Sequence, residues 1–178
     1  MQVITGKFRG RKLISPDSAR PTLQRVKISL FSIIREHIAG ATVLDLFAGS
    51  GALGIECISE DALCAYFVEK DKKACNALLQ NLKGVDSSLY TILNTDYASA
   101  LLNFAKKKVQ FDIIFIDPPY HENFMVPAVE MIKRLNLLAS GGIIVCESDN
   151  KLLLQKLEKS CIIETIRSYG TAHIAVLK

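Results

Sequence analysis

The stretch Thr42–Gly54, TVLDLFAGSGALG, is the strongest indication of the fold in this sequence. Its apolar run ends in a glycine-rich segment, a pattern typical of a buried strand that turns tightly into a helix. Gly49, Gly51 and Gly54 match the spacing G-x-G-x-x-G. Glycines at these positions let the chain turn sharply and let a ligand approach the backbone at a helix N-terminus. The stretch therefore predicts a strand–turn–helix unit of an α/β protein, with a ligand at the turn.

Strand and helix patterns alternate along the chain after this turn. Apolar runs separated by helical patterns predict a Rossmann-like α/β fold, with a mostly parallel seven-stranded sheet and helices on both faces. Two closing strands around Tyr169-Gly170 predict a terminal antiparallel hairpin. The predicted strands are 42–47, 64–68, 89–93, 111–116, 142–146, 161–167 and 172–177, and the predicted helices are 52–59, 72–83, 97–107, 123–135 and 149–158.

The N-terminal part of the chain differs from the rest in charge. Residues 1–35 contain eight lysines and arginines and one acid, whereas the whole chain has a net charge of only +4. Residues 2–15 are predicted to form a short hairpin or extended arm, and a helix is predicted between Thr22 and Gly40. We expect one domain over 1–178, with a basic arm (1–21) and a Rossmann-like core (22–178). A basic patch suits a polyanion such as nucleic acid, and a solvated basic face is the alternative.

Composition narrows the class of protein. A chain of 178 residues with 49% hydrophobic content can form one packed domain. It has no apolar run long enough for a membrane helix and no signal-peptide core, so a cytoplasmic protein without membrane association is predicted. Five cysteines without CxxC spacing and three scattered histidines predict free thiols and no metal site. No sequence feature demands a dimer, so we expect a monomer.

Acidic residues lie at the ends of the first three predicted strands, and the first of them, Asp45, discriminates between cofactors. Asp45 lies four residues before Gly49, where a carboxylate would repel a pyrophosphate but suit the ammonium and sulfonium groups of S-adenosylmethionine (SAM). Glu69 ends the second strand and suits ribose hydroxyls in a SAM or a dinucleotide site. Asp96 follows the third strand, where it could border an adenine, cap a helix, or do both. Asp45 therefore favours SAM over NAD, Glu69 does not discriminate between them, and a turn without any ligand is the remaining alternative.

A second informative stretch ends the fourth predicted strand, with Asp117, Pro118, Pro119 and Tyr120. That strand end adjoins the first strand in a doubly wound sheet. The amine of a base is a poor nucleophile, because its lone pair is delocalised into the ring. The Asp117 carboxylate and the Pro118 carbonyl could accept its two N–H groups and direct the lone pair at a methyl donor. Tyr120 offers a ring on which a flipped base can stack, and a rigid turn is the alternative interpretation.

Taken together, these motifs resemble the RsmD-type 16S rRNA guanine-N2 methyltransferases of bacteria. The similarity runs nearly end to end, through ITGKFRGRKL, RPTLQRVKISLF, VLDLFAGSGALGIE, FVEKD, FDIIFIDPPY and YGTAHIAVLK. It implies SAM as cofactor and a guanine N2 amine of small-subunit rRNA as target. A partly or fully assembled 30S particle is the expected partner, because a short chain has little surface to read an RNA fold.

The resemblance and the strand-end pattern assign the candidate site residues. The cofactor-binding set is Asp45, Phe47, Gly49, Gly51, Glu69, Lys70 and Asp96. The amine site is formed by Asp117, Pro118, Pro119 and Tyr120. The resemblance further implies that RNA is contacted by Arg9, Arg11, Arg20 and Arg25. The chain departs from the family pattern at residues 59–63, SEDAL, which carry two acids where a more basic turn is expected.

Three other functions stay open on the sequence alone. An adenine-N6 DNA methyltransferase shares Asp-Pro-Pro-Tyr, but such enzymes usually carry extra sequence for target recognition. An NAD-dependent oxidoreductase would use the glycine loop but would give Asp117 no role. A non-catalytic RNA-binding assembly factor would keep the fold and bind RNA, with an affinity that falls as salt rises.

Overall fold

Strands and helices alternate in the computed structural model, which describes residues 1–15, 24–119 and 123–178. The strands are β1 (Thr42–Asp45), β2 (Cys64–Val68), β3 (Tyr90–Leu93), β4 (Phe111–Ile116), β5 (Leu138–Ser148), β6 (Ile163–Tyr169) and β7 (Ala172–Leu177). The α-helices are α1 (Gln24–Ile34), α2 (Ala52–Ser59), α3 (Lys72–Asn81), α4 (Tyr97–Lys106), α5 (Met125–Arg134) and α6 (Lys151–Lys156). Short 3₁₀ turns occur at Gly6–Phe8, Arg35–His37, Ser87–Leu89 and Leu157–Lys159.

All seven strands form one sheet in the order β3-β2-β1-β4-β5-β7-β6. The first five are parallel, and β7 pairs antiparallel with both β5 and β6. The strand order reverses between β1 and β4, and such a reversal opens a crevice at the carboxyl ends of the strands. The predicted Rossmann-like fold with a terminal antiparallel hairpin is confirmed.

Apolar side chains cover both faces of the sheet. Helices α1, α2 and α3 pack on the face that carries Val43, Phe115 and Val145. Helices α4, α5 and α6 pack on the opposite face, which carries Leu44 and Ile116. Successive residues of a strand point to opposite faces of the sheet. A residue at a strand end therefore points to the same face as the core residue two positions before it.

The bounds of β5 differ most from the predicted ones. The strand begins at Leu138 rather than at residue 142, and it continues to Ser148. The pairing with β4 shifts register between Phe111 and Ile113, opposite a stretch in which Gly141 has a φ of 78°. The glycines therefore form an irregularity inside the strand, whereas the sequence analysis interpreted them as its start.

Residues 1–15 pack against the core as a short hairpin, one of the two forms that the sequence predicts for this segment. Gln2 and Lys12 form an antiparallel bridge, and the flanking Val3 and Leu13 are buried in the α1–α3 core. The segment is thus a small hairpin that contributes side chains to the domain. The predicted boundary between arm and core, at residues 21 and 22, lies outside the described residues.

A buried ion pair fastens this hairpin to the helices. The Glu56 carboxylate of α2 accepts hydrogen bonds from the Ile4 and Thr5 N–H groups at 2.8 Å. Lys27 of α1 lies 2.7 Å from the same carboxylate, and its ammonium also donates to the Gln2 carbonyl at 2.7 Å. Both charged side chains are fully buried. Lys27 therefore does not contribute to a basic surface, contrary to the charge count on which the sequence analysis relied.

The cysteines are free thiols, as predicted, and Cys64 alone among the five is half-buried rather than buried. Burial raises the pKa of Cys57 well above its ordinary value, so this thiol is unreactive. None of the helices within the described ranges is long and apolar enough to cross a membrane.

Candidate active site

The glycine loop after β1 has the backbone geometry that a ligand-binding turn requires. Gly49 and Gly51 adopt left-handed φ values of 52° and 78°. A Cβ at Gly51 would lie 2.2 Å from the Leu78 Cδ1 atom, so helix α3 packs directly against this side of the loop. A Cβ at Gly49 would meet nothing within 4 Å. The loop is therefore closed on its α3 side and open at Gly49, where a ligand can approach the backbone.

Asp45, the last residue of β1, is a buried carboxylate below this loop. It is 3% exposed and accepts a hydrogen bond from the Gly54 N–H at 3.2 Å. Burial raises its pKa to about 7, the Gly54 hydrogen bond opposes the shift, and the charge of Glu69 adds to it. A cation placed beside Asp45 would restore the ionised form, because opposite charges lower a carboxyl pKa.

Glu69 and Asp96 occupy the ends of β2 and β3. One Glu69 oxygen accepts the Gly49 N–H at 2.8 Å, and the other accepts the Asp71 N–H at 2.7 Å. Glu69 thus ties the glycine loop to the end of β2. Asp96 caps helix α4 by accepting the N–H and the hydroxyl of Ser99, at 2.9 and 2.7 Å, and these bonds lower its pKa. The capping role is confirmed, and a contact with adenine stays a prediction.

Asp117 directly follows β4, at the point where the strand order reverses. Its side chain is half-buried, Pro118 is buried and Pro119 is exposed. Burial raises the pKa of Asp117 well above its ordinary value, and the charges of Glu147 and Asp45 raise it further. The predicted amine-site carboxylate and the predicted cofactor-site carboxylate are therefore close enough to influence each other.

Glu147 was missed by the sequence analysis. It is the last residue but one of β5 and is only 5% exposed. The signal was present, since an acid at the carboxyl end of an apolar strand had already identified Asp45, Glu69 and Asp117. The predicted strand stopped at residue 146, and the acid beyond it was interpreted as part of a connecting segment.

Aromatic rings connect the loops on the α4–α5 side of the crevice. The ring centroid of Phe47 lies 5.5 Å from that of Tyr97 and 6.2 Å from that of Phe124, whose plane is nearly parallel. Tyr97 and Phe124 are themselves 5.2 Å apart. Phe47 thereby joins the glycine loop to the segments after β3 and β4. Lys70, also predicted to bind cofactor, is exposed beside Glu69.

The predicted RNA-contacting arginines have different environments. Arg9 and Arg25 are exposed. Arg11 is half-buried, lies 4.7 Å from the centroid of the Phe8 ring, and donates to the Asn81 carbonyl at 3.3 Å. Its guanidinium is thus partly engaged within the protein.

Two of the predicted site residues, Arg20 and Tyr120, lie outside the described residues. In the part of the chain that is described, no group of three or more His, Cys, Asp and Glu side chains could hold a metal ion.

Comparison with known proteins places the chain in a family. A family model described as "Conserved hypothetical protein 95" matches residues 1–178. The Bacillus subtilis protein named "Putative rRNA methyltransferase YlbH" is 35% identical, over 100% of this chain and 98% of its own length. "Ribosomal RNA small subunit methyltransferase D" of Escherichia coli K12 is 35% identical, over 84% of this chain and 75% of its own length.

Solved structures that resemble this protein include ones whose names describe methyltransferases. The Escherichia coli structure named "Putative methyltransferase yhhF" matches with a TM-score of 0.87 and 30% identity, over 99% of this chain and 96% of its own. The structure described as "SMU.776, a putative methyltransferase complexed with SAH" matches with a TM-score of 0.72 over 88% of this chain and 50% of its own, but at 17% identity it shows the fold alone. The full-length family match and the relatives at 35% identity show that the protein belongs to the "Conserved hypothetical protein 95" family, the RsmD family that its sequence resembles.

Proposed function

We propose that the protein is a SAM-dependent methyltransferase that methylates the exocyclic N2 amine of a guanine in small-subunit rRNA. The observation that carries the proposal is the placement of Asp117 at the strand-order reversal, beside the buried Asp45 and the open glycine loop. Relatives named as small-subunit rRNA methyltransferases support the choice of substrate. We propose a 30S particle as the partner, hence a cytoplasmic site of action, and a monomer that needs no metal.

The residues around the glycine loop fit SAM. A buried carboxylate at Asp45 suits the ammonium group of the methionine part, and the N-terminus of α2 suits its carboxylate. Glu69 uses one acceptor position for each of two N–H groups, and a carboxylate has about four such positions. It can therefore still receive ribose hydroxyls. The other proposed cofactor contacts are Phe47, Gly49, Gly51, Lys70 and Asp96.

At the amine site, Asp117 acts first as an acceptor that orients the nucleophile. With the Pro118 carbonyl it holds the two N–H groups of the amine, so that the nitrogen lone pair faces the donor. Bound SAM supplies an electrophilic methyl group. The Asp117 carboxylate offsets the positive charge that develops on nitrogen and receives the proton that the methylated amine loses. Pro119 stiffens the turn, and Tyr120 stacks on the base.

The alternatives differ in what they require of these residues. An oxidoreductase would place a pyrophosphate near Asp45, which opposes it, and would give Asp117 no task. A non-catalytic factor would need neither the Asp117 carboxylate nor the Pro118 carbonyl at the strand-order reversal. An adenine-N6 methyltransferase would use the same acceptors on a different base, so the nucleic acid that accepts the methyl group decides between the two.

The test incubates the protein and methyl-labelled SAM with unmethylated small-subunit particles, free 16S rRNA or duplex DNA. We expect label in the rRNA of the particles and none in DNA. Asp117→Ala should abolish the label while SAM still binds, as measured by calorimetry. Label in DNA alone would contradict the proposal, and so would full transfer by the Asp117 variant.

A further inference from the structure

Glu147 stands beside Asp117 at the carboxyl edge of the sheet. In the parallel β4–β5 ladder Ile116 is paired with Cys146, so the next residues along each strand, Asp117 and Glu147, lie level with each other. Neighbouring strands are about 4.8 Å apart. Of the charges that act on Asp117, that of Glu147 contributes more than that of Asp45. The two carboxyl groups are therefore near neighbours in space.

The two carboxyl groups also belong to the same face of the sheet. Val145 lies two residues before Glu147 and packs in the α1–α3 core, as does Phe115, two residues before Asp117. Alternation along a strand puts residues two apart on one face. Val43 and Asp45 stand in the same relation on β1. Asp45, Asp117 and Glu147 thus follow one another across the ends of three adjacent strands, in the order β1, β4, β5.

This order assigns different partners to the three carboxylates. Asp45 adjoins the glycine loop and faces the cofactor side. Asp117 receives the reacting amine, and Glu147 lies on the far side of Asp117 from the cofactor. A group at that place meets the part of the base next to the amine, rather than the methyl donor.

We propose that Glu147 selects guanine by accepting the N1–H of the base whose N2 amine is held by Asp117. The inference rests on the proposed function and deepens it. On guanine a second donor, N1–H, adjoins the reacting amine, whereas the atom next to the reacting amine of adenine, N1, is an acceptor. Adjacent carboxylates therefore match donors on guanine and repel the lone pair of adenine. The same geometry supplies both attraction to the correct base and rejection of the wrong one.

The energetics favour strong discrimination. Glu147 is 5% exposed, and a buried site that hydrogen-bonds a substrate N–H rejects analogues without it far better than an apolar pocket does. Donation from both N–H groups of the base also favours the ionised forms of the two carboxyls. Glu147 acts on specificity, and the chemistry of methyl transfer stays with Asp117.

The test replaces the target base and leaves the reacting amine unchanged. The nucleotide that the wild-type protein methylates is mapped first. Particles are then reconstituted with ligated 16S rRNA that carries either guanosine or 2,6-diaminopurine riboside at that nucleotide. Diaminopurine keeps the 2-amine but has an acceptor at N1. We expect wild-type kcat/KM for guanosine to exceed that for diaminopurine by at least about tenfold.

The Glu147→Gln variant should bring this ratio to within about threefold, because the amide can donate to N1 of diaminopurine as well as accept from guanine. A structural defect would lower both rates and leave the ratio intact. The melting temperature and SAM affinity of the variant are measured alongside. The matched control is Glu164→Gln, a carboxylate-to-amide change at an exposed position on β6 that pairs with Lys178, and it should keep the wild-type ratio.

Equal wild-type rates on the two bases would overturn the inference without any variant, even if Glu147→Gln does not fold. An unchanged ratio in a folded Glu147→Gln protein would overturn it as well. In both cases methylation of guanosine still supports the proposed function. Failure of the wild-type protein to label any guanosine would instead contradict the proposed function, and this inference with it.

Discussion

At the scale of single residues, Asp45 carries a charge that suits a cationic ligand but lowers the stability of the ligand-free protein. Its pKa is raised to about 7 in the folded protein from 3.8. The folded state thus prefers the protonated form. The contribution of this group to stability is present in full below pH 4 and is lost as the pH rises through 7. The ligand-free protein therefore holds a destabilising charge at pH 8, which a bound cation would offset.

Asp45→Asn is predicted to raise the melting temperature of the ligand-free protein at pH 8 and to weaken SAM binding. The amide has the same shape and cannot ionise, so the burial penalty disappears together with the attraction for ammonium. Scanning calorimetry and titration calorimetry measure the two effects. A variant that is less stable than wild type at pH 8 and binds SAM equally well would refute this role for Asp45.

The same group sets the pH dependence of binding. Wild-type affinity for SAM should rise about tenfold between pH 6 and pH 8, because the ionised fraction of a group with a pKa near 7 rises by that factor. The Asp45→Asn variant should show a flat profile over this interval. A flat profile for the wild type would mean that another group holds the ammonium.

Gly49 and Gly51 form a matched pair for testing the loop. Both have left-handed φ values, so alanine introduces similar backbone strain at each, about 1 kcal/mol. Only at Gly51 would the new Cβ collide with Leu78. We predict that Gly51→Ala lowers the free energy of unfolding by clearly more than Gly49→Ala, measured in urea. Gly49→Ala should stay folded and lose SAM affinity, and equal unfolding energies for the two variants would contradict this account of the loop.

The acids at the strand ends could be predicted from the sequence, because each one directly follows an apolar run that is recognisable as a strand. Asp45, Glu69 and Asp117 each end an apolar run, and parallel strands bring such ends to one edge. Glu147 obeys the same rule, but the predicted fifth strand stopped one residue before it. Burial and mutual charge effects depend on packing between strands far apart in sequence, so no local pattern reports them.

At the scale of elements, the Lys27–Glu56 pair joins α1, α2 and the N-terminal hairpin. Lys27→Met should lower the free energy of unfolding by about 3–5 kcal/mol, because it leaves Glu56 charged and buried. The double variant Lys27→Met/Glu56→Gln should be more stable than the single one, since no lone charge remains. Urea denaturation measures all three proteins.

The exposed Lys7–Asp61 pair, 2.9 Å apart, is the control for this prediction. Lys7→Met should change the free energy of unfolding by less than about 1 kcal/mol, because solvent screens an exposed pair. Similar losses for Lys7→Met and Lys27→Met would show that the buried pair has no special role.

The sequence indicated Lys27 as part of a basic surface because charge counts carry no information on burial. Helical periodicity placed apolar Val26 and Leu30 on the inner side of α1, and Lys27 adjoins them. Its partner Glu56 lies 29 positions further along the chain. Residues 59–63 depart from the family pattern by carrying two acids. One of these acids, Asp61, forms an ion pair with Lys7 of the N-terminal hairpin.

At the scale of the whole molecule, the alternation of elements predicted a mostly parallel sheet with the fourth strand beside the first, as observed, because right-handed βαβ crossovers leave few alternatives. The RNA-contact surface is harder to predict, since it depends on which basic side chains stay exposed. Arg9 and Arg25 do, whereas Arg11 is half-buried.

Charge reversal at Arg9 and Arg25 is predicted to weaken binding to small-subunit rRNA and to flatten the plot of log affinity against log salt. Each lost phosphate contact should reduce that slope by about 1. Filter binding over a salt series measures it. Reversal at Lys159, exposed after α6 on the other face of the sheet, is the control and should leave the slope near that of the wild type. If reversal at Arg9 and Arg25 left the slope as unchanged as reversal at Lys159 does, these arginines would not be RNA contacts.

We propose that the carboxylates Asp45, Asp117 and Glu147 together serve methylation of a guanine N2 amine. The most direct test digests rRNA from small-subunit particles labelled by the wild-type protein and identifies the labelled nucleoside by chromatography and mass spectrometry. We expect labelled N2-methylguanosine from the wild-type reaction and none from a parallel reaction with folded, SAM-binding Asp117→Ala protein. Label in N6-methyladenosine, or label that persists in the Asp117 variant, would contradict it.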